Sequence, residues 1–331
     1  MKIAVFGAGS IGVYVGGSLL AAGGDVVLIG RASVRDRILR NGLVLTDLHG
    51  KKISMAASDV RFEQDAEVLA DADLILVTVK SADTASAAAS ILKYGKPGAL
   101  VISLQNGVGN AEVLRLPDCT VLGGMVPFNV AQLPDGRFHR GTEGELMVQA
   151  SPALARWRAL FAAAGLPLIE REDFAEVQWG KLLLNLNNPV NALSGLPLHA
   201  QLSQRSYRRC LALLMDEALS VLRIAGIKPA KIARVAPVLL PTVMRLPDPF
   251  FKRLAAAMLR IDPQARSSMW EDLQAGRRTE VDYLNGAVLK LAQSRGRDAP
   301  ANRRVVDLIR AAESGEHQSL DGDALYRALT M

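Results

Sequence analysis

The chain has little of what would tie it to a metal, a membrane or an oxidising compartment. Its 331 residues include two cysteines, Cys119 and Cys210, and four histidines, His49, His139, His199 and His317. Neither set shows a ligand or redox spacing, so no metal is expected and the chain fits a reducing cytoplasm. No apolar run continues unbroken for the roughly 20 residues of a membrane helix, so no membrane partner is expected. Aromatics are only 5% of the sequence and no nucleic-acid motif is visible, so nucleic acid is not an expected partner. What is present is a chain half hydrophobic, long enough for two domains with sizeable cores, and carrying 39 basic against 33 acidic residues for a formal charge of +6. That balance suits an anionic cofactor and an anionic substrate.

The most informative stretch is the beginning. Lys2 to Phe6 reads as a buried strand, Gly7-Ala8-Gly9-Ser10-Ile11-Gly12 follows at GxGxxG spacing, and an Ala, Val and Leu-rich helix runs to Ala22. In such a turn the first glycine permits a tight bend, the second lets a pyrophosphate approach the backbone, and the third lets helix and strand pack closely. Lys2 and the apolar stretch superficially resemble a secretory leader, but the glycines interrupt the run and a second strand, Val26 to Ile29, follows at the βαβ distance. After that strand an NAD-selective site would place an acidic residue on the ribose hydroxyls. Here the residues are Gly30-Arg31, and a guanidinium there pairs with a 2′-phosphate, so NADP(H) is the expected cofactor.

Strands continue to alternate with helices. Arg37 to Met55 carries two short strand candidates around His49-Gly50, Leu74 to Val79 and Leu100 to Leu104 are β-rich runs, and Thr84 to Leu92 is an Ala-rich helix between them. This order predicts an α/β domain with a doubly wound parallel sheet, whose ligands sit beyond the carboxyl ends of the strands. The rule singles out Lys80 and Gln105-Asn106-Gly107. From Thr120 to Gln149, Gly-punctuated strands with a turn at Pro134-Asp135-Gly136 predict an antiparallel extension of the sheet. Ser151-Pro152 opens a helix through Ala164, and Leu166 to Ile169 reads as a last strand. Beyond Glu172 strand signals nearly vanish, and helices are expected over Asp173 to Leu186, Arg205 to Ala225, Phe250 to Leu259, Thr279 to Arg295 and Arg303 to Ala312. The expected organisation is a nucleotide-binding domain over 1–172 and an all-α domain over 173–331, with a cleft between them.

Two polar constellations stand out in the helical half. In Trp179-Gly180-Lys181 and the residues to Pro189, Lys181, Asn185 and Asn188 fall at i, i+4 and i+7 and are expected to share one face of one helix. A lysine desolvated in a polar cleft becomes a usable proton donor. The second constellation comprises Ser267-Ser268-Met269-Trp270-Glu271-Asp272 and Arg277-Arg278-Thr279-Glu280. Thr279 or its neighbour is expected to cap a helix with Glu280 in its first turn.

Together these residues resemble the ketopantoate reductases (2-dehydropantoate 2-reductases). The resemblance rests on the glycine loop, Arg31, Lys80, Asn106-Gly107, the Trp179-Gly180-Lys181 helix, Ser268-Met269-x-x-Asp272, Thr279-Glu280-x-Asp282-Tyr283-x-Asn285-Gly286 and Pro300-x-Asn302. It implies a Rossmann-type domain followed by an all-α domain, and reduction of a 2-oxo acid with NADPH in pantothenate and coenzyme A synthesis. By resemblance Lys181 is the general acid and Glu280 the carboxylate that holds the substrate hydroxyl and borders the cofactor. Asn106 touches cofactor and substrate, and Asn185, Asn188 and Ser268 bind substrate. Gly7 to Gly12, with Arg31 and Lys80, hold the cofactor. A homodimer is compatible with the resemblance. Asn188-Pro189 comes one residue earlier than the family's usual asparagine, and Ala265 stands where some members have an asparagine. Both leave open a different 2-oxo acid as substrate. A non-catalytic NADP(H)-binding regulator would have no need of both Lys181 and Glu280.

Overall fold

The computed structural model describes residues 1–232, 235–254, 264–316 and 319–331. It divides into two compact units, Met1–Phe174 and Ala175–Met331. In chain order the first unit contains β1 (Lys2–Phe6), α1 (Ser10–Ala21), β2 (Asp25–Ile29), α2 (Ala32–Asn41), β3 (Leu43–Asp47), β4 (Lys52–Met55), β5 (Arg61–Glu63) and β6 (Leu74–Val77). It continues with α3 (Thr84–Tyr94), β7 (Leu100–Ser103), α4 (Asn110–Val113), β8 (Thr120–Met125), β9 (Val130–Gln132), β10 (Phe138–Arg140), β11 (Leu146–Gln149), α5 (Arg158–Ala163) and β12 (Leu168–Arg171).

Eight of these strands form one sheet in the order β12-β11-β8-β7-β6-β1-β2-β5. Its pairs from β5 to β8 are parallel. The sheet is doubly wound because its strands are apolar on both faces. Ile3 and Val5 of β1, Leu74 and Leu76 of β6 and Leu100 and Ile102 of β7 enter one buried cluster, which includes Val13, Val15 and Leu19 of α1. The intervening Ala4, Ile75, Val77 and Val101 enter the other, with Ala87 and Ile91 of α3. The chain moves outward from β1 to β2 and later returns to β6 on the other side of β1. That reversal leaves the binding crevice of a doubly wound sheet at the carboxyl ends of β1 and β6.

The antiparallel extension expected after Thr120 is only partly formed. β11 runs antiparallel to β8 and then parallel to β12. The β9–β10 hairpin around Pro134-Asp135-Gly136 instead joins a separate four-stranded sheet, β4-β3-β10-β9, in which β10 pairs in parallel with β3. Phe138 explains the difference, since the hairpin buries it in the cluster with Tyr14, Leu43 and Leu45. Two adjacent glycines let α1 pack against both sheets. A Cβ on Gly16 would lie 2.6 Å from Leu28 Cδ2, and one on Gly17 would lie 2.9 Å from Leu43 Cδ2. The helix expected from Ser151 to Ala164 is likewise divided into a 3₁₀ turn over Pro152–Leu154 and α5.

The second unit is helical among its described residues, with α6 (Phe174–Asn185) beginning at its boundary. It contains α7 (Asn187–Ser194), α8 (Leu198–Leu202), α9 (Arg205–Ile224), α10 (Leu240–Met244), α11 (Asp248–Leu254), α12 (Ser268–Gln274), α13 (Asn285–Ser294), α14 (Pro300–Glu313) and α15 (Gly322–Thr330). The helix expected from Phe250 to Leu259 lies outside the described residues beyond Leu254. α9 packs against α10, α13, α14 and α15. Its buried Arg208 donates to the carbonyls of Leu202, Met244 and Leu246, pairs with Asp248 at 2.8 Å and lies 4.0 Å over the Phe251 ring. A charge taken wholly out of water is thereby compensated at nearly every donor.

Candidate active site

The glycine loop of the first unit forms a cradle of main chain in which each glycine has a different physical reason. Gly7 has φ +118°, a conformation that disfavours any side chain, and its Cβ would collide with Val79 N and lie 2.6 Å from Thr78 C. Gly12 is required by packing, because its Cβ would strike Gly7 O and lie 2.6 Å from Thr78 Oγ1. Gly9 is different. Its φ of −81° suits any residue, and a Cβ there would meet nothing within 4 Å. Neither backbone nor packing needs that glycine, so the space over it is available to a ligand that approaches the main chain. Gly9 is also the N-cap of α1 and supplies no side-chain acceptor, which leaves the first-turn amides to a bound anion. These residues fit a dinucleotide pyrophosphate.

The loops beside this cradle carry the other expected contacts. β6 ends at Val77, before the expected Val79, and the Thr78 hydroxyl that follows donates to Gly7 O at 2.7 Å. Gly30 packs under the cradle, where its Cβ would lie 2.7 Å from Ala8 Cβ, and exposed Arg31 follows as the N-cap of α2. Arg35, one turn further along α2, pairs with Asp36 at 3.1 Å. Lys80, partly buried, follows β6, and exposed Asn106 follows β7. Asn106 and the Lys80 loop are brought together, since Ser81 Oγ donates to Asn106 O at 2.9 Å.

In the second unit Gly180 lets a crossing segment touch α6, since its Cβ would collide with Ala230 O. Lys181 follows on this helix, partly buried, and desolvation lowers its pKa from 10.5 to about 8. Asn185 lies one turn further on the same face. The single helical face expected for Lys181, Asn185 and Asn188 is not formed as such. α6 ends at Asn185, and Asn188 belongs to α7. Pro189 is the cause, because it has no N–H to donate to the carbonyl of Asn185, four residues back.

Asn188 and Ser268 come close through Ser267. This buried N-cap of α12 donates its hydroxyl to Asn188 O at 3.2 Å, and its amide donates to Asn191 Oδ1 at 2.9 Å. The neighbouring Ser268 is exposed. Glu280 is not in the first turn of an α-helix as expected. It precedes a 3₁₀ turn over Val281–Tyr283, and α13 begins only at Asn285. Contacts to α14 override the simple helix, because Glu313 accepts from Thr279 N at 2.7 Å and Arg310 pairs with Asp282 at 2.7 Å. Thr279 does cap locally, accepting from Val281 N at 3.3 Å.

The sequence matches a known family at both ends. Residues 3–153 match "Ketopantoate reductase PanE/ApbA", and residues 173–313 match "Ketopantoate reductase PanE/ApbA C terminal". The chain belongs to the ketopantoate reductase family. Over 322 residues it is 31% identical to the 2-dehydropantoate 2-reductase of Halobacterium salinarum, spanning 95% of this chain and 99% of that protein. A crystal structure of a PanE/ApbA family ketopantoate reductase from Ralstonia eutropha JMP134 is 32% identical, with a TM-score of 0.81 over 96% of this chain and 99% of that one. D-mandelate dehydrogenase, solved as a ternary complex with NADH and anilino(oxo)acetate, shares the fold at 20% identity, with a TM-score of 0.77 over 96% and 99% of the two chains.

Ketopantoate reductases are NAD(P)-dependent oxidoreductases, and the cradle over Gly9 is consistent with that chemistry. Among the described residues no group of three or more His, Cys, Asp or Glu could hold a metal ion, and no helix is long and apolar enough to cross a membrane. Burial pushes the Cys210 thiol up to about 12, which keeps it protonated at neutral pH, and also raises that of Cys119.

Proposed function

We propose that this ketopantoate reductase family member reduces 2-dehydropantoate to pantoate with NADPH, in pantothenate synthesis. The observation that carries the reading is Lys181, a desolvated lysine whose pKa of about 8 keeps it protonated at neutral pH yet ready to release the proton. The chemistry NADPH supplies when bound is hydride. Residues of the first unit hold the cofactor. The amides of Ser10, Ile11 and Gly12 receive its pyrophosphate over Gly9 and beside Gly7 and Ala8, and Arg31 with Lys80 pairs with the 2′-phosphate. Asn106 orients both cofactor and substrate.

Residues of the second unit handle the acid. Asn185, Asn188 and Ser268 hydrogen-bond it, and Glu280 accepts from its hydroxyl and borders the cofactor. Lys181 gives its proton to the carbonyl oxygen as negative charge develops there, and stabilises that charge in a water-poor setting. In this function the first unit is the cofactor-binding domain and the second the catalytic one. The test is steady-state oxidation of NADPH and NADH with ketopantoate and a panel of other 2-oxo acids. Preferred turnover of ketopantoate with NADPH is expected. Efficient turnover of another acid, with none of ketopantoate, would overturn the substrate, and a preference for NADH would overturn the cofactor.

A further inference from the structure

Beneath Lys80 and Asn106 lies a buried polar web that joins the two loops on which they stand. Ser81, Thr84, Ser103, Gln105 and Asn110 are all at least nine-tenths buried. Ser103 Oγ donates to Gln105 Oε1 at 2.9 Å. The Gln105 amide spends one hydrogen on Val79 O at 3.1 Å and the other on Thr84 Oγ1 at 2.8 Å. Thr84 in turn lies 2.8 Å from Ser81 O and 3.1 Å from Asn110 Oδ1. The Asn110 amide reaches Ser81 Oγ at 3.3 Å and Asn106 O at 2.7 Å. The single Thr84 hydroxyl hydrogen is shared between Ser81 O and Asn110 Oδ1, and the other links each pair a donor with an acceptor, an arrangement that rigidifies what it connects.

The geometry points to Thr84, Gln105 and Asn110 as positioning residues that fix the main chain around Lys80 and Asn106 in the arrangement the cofactor needs. They act on carbonyls of Val79, Ser81 and Asn106, not on a ligand. Thr84 is the hub, since it accepts from Gln105 and touches both Ser81 O and Asn110. Web and cradle are continuous, because the Gln105 acceptor Val79 is also the residue that Gly7 packs against. The inference rests on the proposed use of NADPH.

The test is titration of NADPH, followed by nicotinamide fluorescence, into wild type, Thr84→Val, Thr84→Ser and Gln105→Met, with melting curves and steady-state kinetics for each. Thr84→Val keeps shape and loses the hub hydroxyl, and Thr84→Ser restores it. The valine variant should weaken NADPH binding about tenfold and raise its KM to match, with kcat at saturating NADPH within about threefold of wild type and serine close to wild type. Gln105→Met should behave as valine does, and decides alone if the valine variant does not fold. Folded valine and methionine variants that bind NADPH as wild type does would overturn this inference alone. Wild type that binds neither NADPH nor NADH would overturn the proposed function, and this inference with it.

Discussion

The glycine cradle and helix α6 make an instructive pair. The cradle is made of main chain, and its specificity lies in what is missing: Cβ atoms at Gly7, Gly9 and Gly12, and a side-chain cap on α1. The α6 region is made of side chains, and what matters there is a charge placed where solvent cannot fully reach it. A backbone site tolerates no added atom, whereas a side-chain site cannot lose one. Perturbing the first should change affinity, and perturbing the second should change rate.

The largest effect belongs to the second region. Lys181→Ala should lower kcat by about 10²- to 10⁴-fold with little change in the Kd of NADPH, checked by turnover and fluorescence titration. A rate near wild type would remove Lys181 as the acid.

Within the cradle, Gly7 and Gly9 separate folding from binding. Gly7→Ala forces a side chain at positive φ against the backbone of Thr78 and Val79, and should destabilise the fold by about 3 kcal/mol or more in denaturant melts. Gly9→Ala adds a methyl to open space, so stability should stay within about 0.5 kcal/mol while NADPH affinity falls about 10- to 100-fold. Equal behaviour of the two variants would break the distinction between glycines that serve the fold and the one that serves the ligand.

Arg31→Ala should weaken NADPH about tenfold and leave NADH within about twofold, measured as the two Kd values. An equal loss for both would contradict the 2′-phosphate role.

A further effect concerns stability. Folding lowers the Lys181 pKa from 10.5 to about 8, so between those values the unfolded chain holds more protons. The buried charge therefore costs the fold at most about 3 kcal/mol at pH 7, a cost relieved as pH rises from 8 to 10.5. Lys181→Met should lower kcat as the alanine variant does yet raise the melting temperature by roughly 5 °C, which calorimetry would check.

Much of the first unit was legible because local rules decided it. β1, the glycine turn and α1 follow from apolar runs and glycine spacing, and the doubly wound sheet follows from strands apolar on both faces. The four-stranded sheet was not legible, since β10 joins β3 across about 90 residues of chain and the need to bury Phe138 drives that choice. In the second unit Lys181 stood out as a charge among leucines, but the break after Asn185 required weighing Pro189 against the helical period. The turn at Glu280 depends on Glu313 and Arg310 of α14, and no local pattern encodes such partners. Gln105 could be marked by its place after β7, whereas the side chains it joins become neighbours only in the folded sheet.

The most direct test of the account is the pH dependence of kcat/KM for ketopantoate reduction, because it reads the protonation of Lys181 before the substrate binds. A group with pKa of about 8 that must be protonated predicts a rate constant with pH below about 7 and falling through a limb near 8, approaching tenfold per pH unit. Lys181→Ala should retain only residual turnover without that limb. A wild-type rate that stays flat through pH 9.5, or the same limb in the alanine variant, would contradict the assignment of Lys181 as the proton donor.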